Sequence, residues 1–285
     1  MLFRTDLAIE RAEISNSGKQ IKSFKETHGE ITINRIKIAT EGEAQKLQKP
    51  IGNYITIEFP NLINNGGDCS LTENLLAKEL TKLLPENKNC ILVVGLGNPK
   101  ITSDSLGPIT ANRILATRHI SKELARQIKL SGLKNVAVLC PGVLGQTGIE
   151  VSEILLGISK TVNLDCIIVV DALCAAETKR LGCTVQLSDT GISPGSGIGN
   201  HRKEISAISM GVPVIAIGIP TVIYAATIAT DLTEYTPDFN NKLTELIVAP
   251  KDIDIITERA ATIISNAVNI ALQPKIEPEI LKALV

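Results

Sequence analysis

The 285-residue chain is poor in aromatic side chains, and this scarcity excludes one class of binding protein. Phe, Tyr and Trp together make up 2% of the residues, and Trp is absent. Proteins that bind single-stranded nucleic acid stack bases on aromatic rings, so no such platform is expected. Charge is balanced as well, because 29 Lys and Arg stand against 30 Asp and Glu. A domain-wide basic surface is therefore excluded, and we expect no direct nucleic-acid partner.

Histidine and closely spaced cysteine pairs are also scarce, which argues against a zinc site and against a disulfide framework. The chain has three His, far apart, and six Cys, none of them in a C-x-x-C pair. A structural zinc site needs four clustered ligands, which this pattern does not supply. We interpret the cysteines as reduced and mostly buried thiols, as is typical of cytosolic proteins. They are Cys69, Cys90, Cys140, Cys166, Cys174 and Cys183.

Secretory and membrane-spanning segments are not expected either. Met1–Glu10 contains three charged residues and lacks the apolar core of a signal peptide. Ile205–Thr230 is uncharged and long enough to cross a bilayer, but two Gly and two Pro interrupt it. We interpret it as a buried strand, Val212–Ile219, followed by a helix that starts within Thr221–Thr230. The prediction is a cytoplasmic protein with no membrane partner.

Hydrophobic residues amount to 44% of the chain, which is enough for a large aliphatic core. Four unalternated apolar runs have the character of parallel strands covered on both faces. They are Cys90–Val94, Val136–Leu139, Cys166–Val170 and Val212–Ile219. Helical patterns alternate with them at Leu71–Leu84, from Pro108 toward Leu130, and at Glu150–Val162 and Asp252–Leu272. This alternation predicts an α/β fold with an open, mostly parallel sheet flanked by helices.

The N-terminal part follows another pattern. Ile31–Ala39 and Tyr54–Phe59 alternate apolar with polar positions, which indicates antiparallel strands with one face in water. We interpret residues 7–65 as a β extension of the α/β core, 66–285, rather than as a second domain. Thr233–Leu243 is polar and is expected to be a surface loop.

Two aspartates are the best candidates for catalysis. Asp104 and Asp171 each follow a predicted parallel strand, and the carboxyl ends of parallel strands collect sites at one sheet edge. Two carboxyl groups held close together cannot both ionise easily, because like charge raises one pKa. One protonated and one ionised group then provide a general acid and a general base for attack by water. The alternative is that each Asp only caps the following loop or helix.

Two glycine motifs are rejected as sites. Gly95-x-Gly97 follows a strand, but Lys100 stands where a dinucleotide fingerprint has its third glycine. Gly191-Ile192-Ser193-Pro194-Gly195 matches the nucleophile elbow G-x-S-x-G by its letters. In that motif the residue after Ser donates its N–H to an oxyanion, and Pro194 has no N–H. A dinucleotide site and a serine hydrolase are both disfavoured.

A series of ordered motifs makes the chain resemble the germination protease family of spore-forming bacteria. The motifs are Arg4-Thr5-Asp6-Leu7-Ala8, Leu92-Val93-Val94-Gly95-Leu96-Gly97-Asn98, Asp104-Ser105-Leu106-Gly107-Pro108, Thr117-Arg118-His119, Thr147-Gly148-Ile149-Glu150, Asp171-Ala172-Leu173, Ser188-Asp189-Thr190-Gly191-Ile192 and Gly211-Val212-Pro213-Val214. The resemblance covers the chain from its N-terminus to the final helix. It implies a sheet like that of the hydrogenase-maturation proteases and the phosphorylase–hydrolase fold.

The resemblance also implies an activity. The family consists of atypical aspartic endopeptidases that degrade small acid-soluble spore proteins during germination, without a metal or an organic cofactor. Its two essential aspartates fall on Asp104 and Asp171. The family is made as a zymogen that cleaves itself, which by the matching motif places the cut at Asp6–Leu7, with 1–6 as propeptide and 7–285 as a single peptidase domain. It assembles as a homotetramer, and its place is the forespore or spore core.

Three residues are candidates for lining the substrate cleft by position only: Asn98, Asp189 and Asn200. Each is equally suited to stabilising its own loop. The rival enzyme is peptidyl-tRNA hydrolase, which is similar at Gly95-Leu96-Gly97-Asn98-Pro99 and Thr117-Arg118-His119 but has Asn where this chain has Ile120. The non-enzyme alternative is a protein that binds spore proteins without cutting them.

Overall fold

The structure is a computed structural model that describes residues 4–15, 22–60, 62, 68–86, 89–127, 130, 132–195, 202–232 and 245–285. Within these residues a nine-stranded sheet forms the centre of the fold. Its strands are β1 (Lys22–His28), β2 (Ile31–Ile38), β3 (Gly52–Glu58), β4 (Cys90–Gly95), β5 (Asn135–Leu139), β6 (Cys166–Ala175), β7 (Thr184–Ser188), β8 (Val214–Tyr224) and β9 (Ile247–Val248). The helices are α1 (Ala8–Ile14), α2 (Glu41–Leu47), α3 (Ser70–Leu83), α4 (Leu106–Ala111), α5 (Lys122–Gln127), α6 (Leu144–Thr147), α7 (Val151–Thr161), α8 (Ala207–Met210), α9 (Ala225–Leu232), α10 (Ile253–Leu272) and α11 (Pro278–Ala283).

The sheet consists of a parallel and an antiparallel half. The strand order is β1-β2-β3-β7-β8-β6-β4-β5, and β9 pairs with the end of β8. Strands β8, β6, β4 and β5 run parallel, whereas β1, β2, β3 and β7 pair antiparallel. The predicted α/β class with an N-terminal antiparallel extension is confirmed. The extension continues the same sheet, because β3 pairs with β7 and β7 pairs with β8.

The parallel half is buried on both faces, as its apolar runs predict. On one face Val93 and Ile168 pack into the main core with α3 and α10. On the other face Leu92 and Ile167 pack under α7 and near α8. All four predicted strands are present, and the helices predicted at Leu71–Leu84, Glu150–Val162 and Asp252–Leu272 form with ends within one residue.

The antiparallel extension is covered more completely than its sequence indicates. The face of β2 and β3 that was expected to meet water carries α1 and α2 instead. Ile36, Ile38 and Tyr54 are buried there, in one cluster with Leu7 of the N-terminal segment and Leu47 of α2. The expectation of a wet face is wrong at these positions, because α1 brings an apolar stripe that shields them.

The single helix expected from Pro108 toward Leu130 is also wrong, since the structure has two short helices, α4 and α5, separated by an irregular segment. A side chain from a distant helix accounts for the break. Asn269 of α10 accepts a hydrogen bond from the Leu115 N–H at 2.9 Å and donates one to the Arg113 carbonyl at 2.9 Å. These backbone groups are satisfied outside a helical ladder, so the chain can leave the helix without an orphaned polar group.

Two further boundaries and one strand differ from expectation. Asp171, predicted to follow its strand, lies inside β6, because pairing with β8 continues to Ala175. The first turn of the helix expected at Thr221–Thr230 is strand instead, because β8 extends to Tyr224, and the helix starts at Ala225. Strand β7 has no counterpart among the predicted elements. The predicted loop Thr233–Leu243 lies outside the described residues.

The cysteines are less uniformly buried than expected. Cys166 and Cys174 are buried, but Cys140 is exposed at the end of β5, and the other three are partly covered. Among the described helices, none combines the length and the apolar character needed to cross a bilayer.

Candidate active site

Asp171 occupies the middle of β6 with 6% of its surface exposed. Because successive side chains on a strand alternate between faces, it shares a face with Val169 and Leu173. These two neighbours belong to separate apolar clusters, so the carboxyl group lies between them. Its Oδ1 accepts a hydrogen bond from the Ala172 N–H at 2.9 Å. Burial raises the pKa of Asp171 well above its ordinary value of 3.8, and two nearby carboxylates raise it further.

Asp104 ends a 3₁₀ turn, Thr102–Asp104, that follows β4. Gly97 allows the turn to close, since it adopts φ of 116°, and a Cβ there would lie 1.9 Å from the Asp104 carbonyl oxygen. The Asp104 Oδ2 accepts a hydrogen bond from the Asn98 N–H at 2.8 Å. Burial raises the pKa of Asp104, while this N–H and the Arg202 guanidinium oppose the shift.

Asp104 and Asp171 line one cavity of about 480 Å³. Strands β4 and β6 are direct neighbours, with Gly95 paired to Val170, so the sheet itself brings the two segments together. The Asp104 carboxylate is one of the charges that raise the pKa of Asp171. The expected pairing of the two aspartates at one sheet edge is therefore present in the structure. In such a pair one carboxyl group can hold a proton while the other accepts a proton from water, and acid–base activation of water requires both.

The predicted self-cleavage site lies against the same cavity, which Asp6 also lines. The Asp6 N–H donates to the Cys174 carbonyl oxygen, and the Cys174 N–H donates to the Asp6 Oδ2, both at 2.9 Å. Asp6 thus binds the end of β6 through its backbone and its carboxylate. Its charge is the second that raises the pKa of Asp171. Leu7, on the other side of the bond, is fully buried.

The three candidates for cleft lining have different surroundings. Asn98 lines the cavity, and its side-chain oxygen accepts a hydrogen bond from the Gln146 amide at 2.8 Å. Asp189 is bound elsewhere, since its carboxylate accepts hydrogen bonds from the Asn53 backbone N–H at 2.8 Å and from the Asn53 amide at 2.6 Å. Asn200 lies outside the described residues. Asn98 is thus the one of the three whose contacts with the cavity can be described.

Arg202 is a cavity residue that the sequence analysis did not single out. Its guanidinium lowers the pKa of both Asp104 and Asp171, although burial outweighs it at each. The one available signal in the sequence is that Arg202 adds positive charge just after a segment rich in glycine, residues 191–199. Nothing in the local sequence indicates that this charge faces the aspartates. In the described part of the chain, no group of three or more His, Cys, Asp and Glu side chains has the arrangement of a metal site.

Comparison with known proteins identifies the family. The germination protease family model matches residues 4–244, which include both aspartates and the Asp6–Leu7 bond. The germination protease of Clostridium tetani is 38% identical over 98% of this chain and 98% of its own length. That of Caldanaerobacter subterraneus is 39% identical over 95% of this chain and 94% of its own length. The germination protease of Bacillus velezensis is 41% identical over 82% of this chain and 67% of its own length.

Among solved structures, the [NiFe] hydrogenase maturation protease HycI from Thermococcus kodakarensis aligns with 67% of this chain and 98% of its own. The TM-score is 0.38 and the sequence identity 18%, which is too distant for a functional comparison. The relatives named germination protease favour a peptidase over the peptidyl-tRNA hydrolase alternative. By its family model and its relatives, the chain belongs to the germination protease family and is a protease with a role in spore germination.

Proposed function

We propose that the chain is an atypical aspartic endopeptidase that begins the degradation of small acid-soluble spore proteins, and that it acts in the spore core. The observation that carries the proposal is the carboxyl pair, half-buried Asp104 and buried Asp171, in one cavity beside the Asp6–Leu7 bond. Membership of a family named for a protease supports hydrolysis of protein substrates. The expected homotetramer stays a prediction, to be checked by the mass of the purified protein in solution.

In this proposal one carboxyl group takes a proton from water while the other, protonated, donates a hydrogen bond to the scissile carbonyl. Asp171 is the more deeply buried and lies beside two other carboxylates, so its place favours the protonated form. Burial raises the pKa of Asp104 too, but the Asn98 N–H and the Arg202 guanidinium oppose the shift, so Asp104 is the member of the pair that ionises more easily. Since the two groups are coupled, the pair titrates as a unit and a pH profile reports its two joint pKa values.

We also propose that residues 1–6 form a propeptide and that the chain cleaves its own Asp6–Leu7 bond. The support is the position of Asp6, whose carboxylate and N–H bind the Cys174 backbone at the end of β6. An acidic side chain before the cut is also what the resemblance implies for the spore-protein substrates, where Glu precedes the cleaved bond. The propeptide thus binds where an acidic substrate residue would bind.

The test incubates a small acid-soluble spore protein with sub-stoichiometric amounts of the chain, with and without a chelator, and sizes the products. The expected result is discrete fragments ending in Glu at the same rate in both arms. Asp104→Asn and Asp171→Asn should remain folded and leave the substrate intact. Asp189→Asn is the matched control, because its carboxylate binds Asn53 outside the cavity and cleavage should persist.

Two results would overturn the proposal. Full cleavage by a folded Asp171→Asn variant would remove the carboxyl pair from the mechanism, and loss of cleavage in the chelator would require a metal. An intact substrate recovered in a stoichiometric complex would instead support the non-enzyme alternative, a protein that binds spore proteins without cutting them.

A further inference from the structure

Two side chains hold the carbonyl oxygen of the Asp6–Leu7 bond. The Lys49 Nζ donates to the Asp6 carbonyl oxygen at 2.8 Å, and the Gln186 Nε2 donates to the same oxygen at 2.8 Å. Most buried carbonyls in proteins accept backbone N–H groups, so two convergent side-chain donors, one of them cationic, are unusual. Both distances are those of hydrogen bonds to the ground-state carbonyl oxygen, and such bonds shorten and strengthen when the acceptor gains negative charge.

Gln186 binds the chain on both sides of Leu7. Its Nε2 donates to the Asp6 carbonyl, and its Oε1 accepts a hydrogen bond from the Ala8 N–H at 2.6 Å. Each end of the amide therefore has its own partner, which fixes the orientation of the side chain. Gln186 lies in the middle of β7, paired to β3 through Thr56 and to β8 through Gly218, and is 8% exposed. A rigid central strand thus holds this donor in place.

Lys49 lies just after α2, and its side chain reaches the same Asp6 carbonyl oxygen. The helix ends in Gln48, whose φ of 52° turns the chain back, and the Lys49 N–H donates to the Ala44 carbonyl at 3.2 Å. The side chain is half-buried over the N-terminal segment. Burial lowers the pKa of Lys49 because the ammonium loses hydration, whereas the Asp6 and Glu10 carboxylates favour its charged form.

Asp6 separates these two donors from the carboxyl pair. It lines the cavity that contains Asp104 and Asp171 and also a second cavity of about 190 Å³ lined by Lys49 and Gln186. A carbonyl under attack needs a base for the incoming water and donors at its oxygen. The first cavity supplies the base and the protonated carboxyl group, and the second adds two donors at the carbonyl oxygen.

We propose that Lys49 and Gln186 form the oxyanion site for cleavage of the Asp6–Leu7 bond, and that they later bind the corresponding carbonyl of a protein substrate. This inference rests on the proposed function. Water adds to the Asp6 carbonyl carbon and gives its proton to the ionised carboxylate, while the C=O electron pair moves to the oxygen between Lys49 and Gln186. The adduct then collapses, the C–N bond breaks, and the leaving nitrogen of Leu7 takes a proton from the carboxyl pair. The products are a carboxylic acid on Asp6 and a free amine on Leu7.

The same contacts also bear on the acidic residue that precedes the cleaved bond. The residue before the cut is held at its carbonyl by Lys49 and Gln186 and at its carboxylate by the Cys174 N–H. After release of residues 1–6 these groups can take up another chain that has an acidic residue in this position. These contacts give a structural basis for the acidic residue that the proposed function already places before the cleaved bond.

The test follows conversion of the full-length precursor by mass spectrometry, which detects the loss of residues 1–6 and a new N-terminus at Leu7. Lys49→Met and Gln186→Leu should each slow conversion by about 10²-fold or more, the usual effect of removing one oxyanion donor. Gln186→Glu keeps an acceptor for the Ala8 N–H but places negative charge at the oxyanion, so it should be slower than Gln186→Leu. Lys46→Met, on the exposed side of α2, is the matched control and should convert at the parental rate.

Steady-state kinetics on the protein substrate distinguish a role of Lys49 in catalysis from a role in folding alone. Processed Lys49→Met should lose more in kcat than it gains in KM, because its hydrogen bond to the bound carbonyl strengthens when the oxygen becomes negatively charged in the transition state. Lys49→Arg should recover part of the loss, since it restores a cationic donor.

The outcomes separate the two proposals. If Lys49→Met and Gln186→Leu convert at the parental rate while Asp171→Asn does not convert, the oxyanion site is refuted and the carboxyl pair stands. If folded Asp171→Asn converts like the parent, the proposed function itself fails. A parental precursor that is never cut at Asp6–Leu7 refutes the cleavage site and the oxyanion site with it.

Discussion

Replacing Arg180 by Met should destabilise the protein severely, through one buried carboxylate. The Arg180 side chain is 3% exposed and contacts four carboxylates: Glu13 at 2.7 Å, Glu177 at 3.0 Å, Glu58 at 3.1 Å and Glu10 at 3.5 Å. Three of these are between 31% and 44% exposed, and exposed pairs contribute little. Glu10 is 1% exposed and cannot regain water when its partner is lost.

The expected cost is therefore that of breaking a buried pair, about 3–5 kcal/mol in the free energy of unfolding. This is a large part of the stability of a typical domain, about 5–15 kcal/mol. Glu10 keeps three other donors: the Thr5 hydroxyl, the Ala176 N–H at 2.7 Å and the Glu177 N–H at 3.0 Å. These hold the carboxylate but do not neutralise it, so its charge remains uncompensated in the variant.

The pH dependence follows from Glu10. Burial already raises the pKa of Glu10 above its ordinary value of 4.5, and loss of Arg180 raises it further in the folded state. A raised carboxyl pKa penalises the folded state above the unfolded pKa, and the penalty disappears as pH falls toward that value. The gap between Arg180→Met and the parent should therefore narrow from pH 7 toward about pH 4.5.

Urea denaturation measures the free energy of unfolding of four proteins: the parent, Arg180→Met, Glu10→Gln and the double variant. The two substitutions should not be additive: the double variant should cost less than the sum by about 1–3 kcal/mol, because it has no unpaired buried charge. A cost for Arg180→Met below about 1 kcal/mol, or full additivity, would refute the reasoning, since Glu10 would then be solvated.

Two further predictions concern the geometry around the carboxyl pair. Burial raises the pKa of Asp171, so the free energy of unfolding of the parent should fall as pH rises from about 3.8 toward the raised pKa of this residue. Asp171→Asn should not show this loss. Parallel curves of stability against pH for the two proteins would contradict the prediction. Gly107→Ala should destabilise the protein by about 1–3 kcal/mol or more and slow cleavage, because its Cβ would lie 2.1 Å from the Leu96 carbonyl oxygen and 2.6 Å from that of Val170. Gly157→Ala, where no atom lies within 4 Å, is the control and should stabilise α7 by about 0.5–1 kcal/mol in the same thermal or urea unfolding measurement.

The carboxyl pair could be found in the sequence because the rule that locates it is general. Asp104 and Asp171 are 67 positions apart (171 − 104), yet both lie near the carboxyl ends of buried apolar runs. Such runs form neighbouring parallel strands, and side chains near their ends meet at one edge. The rule needs only the apolar run and the short segment that follows it.

The proposed oxyanion donors could not be found in this way. Gln186 lies on β7, a five-residue strand that joins the two halves of the sheet by antiparallel pairing with β3 and β8. Lys49 follows a short helix and has no motif around it. Their common target, the Asp6 carbonyl, is 43 residues from one and 180 from the other. Contacts over such distances leave no periodic signal in the chain.

By itself the sequence determined the α/β class, the aliphatic sheet core, the antiparallel extension and the motifs that mark the family. Each depends on hydrophobic periodicity or on residue identity at fixed spacing, which short stretches of chain contain. Tertiary structure alone decided that α1 and α2 cover the extension, that Asn269 divides the predicted long helix, and that Asp6 lies between the carboxyl pair and two donors. The physical reason is that burial and hydrogen-bond partners depend on which distant segments meet, and burial in turn sets the pKa of Asp171.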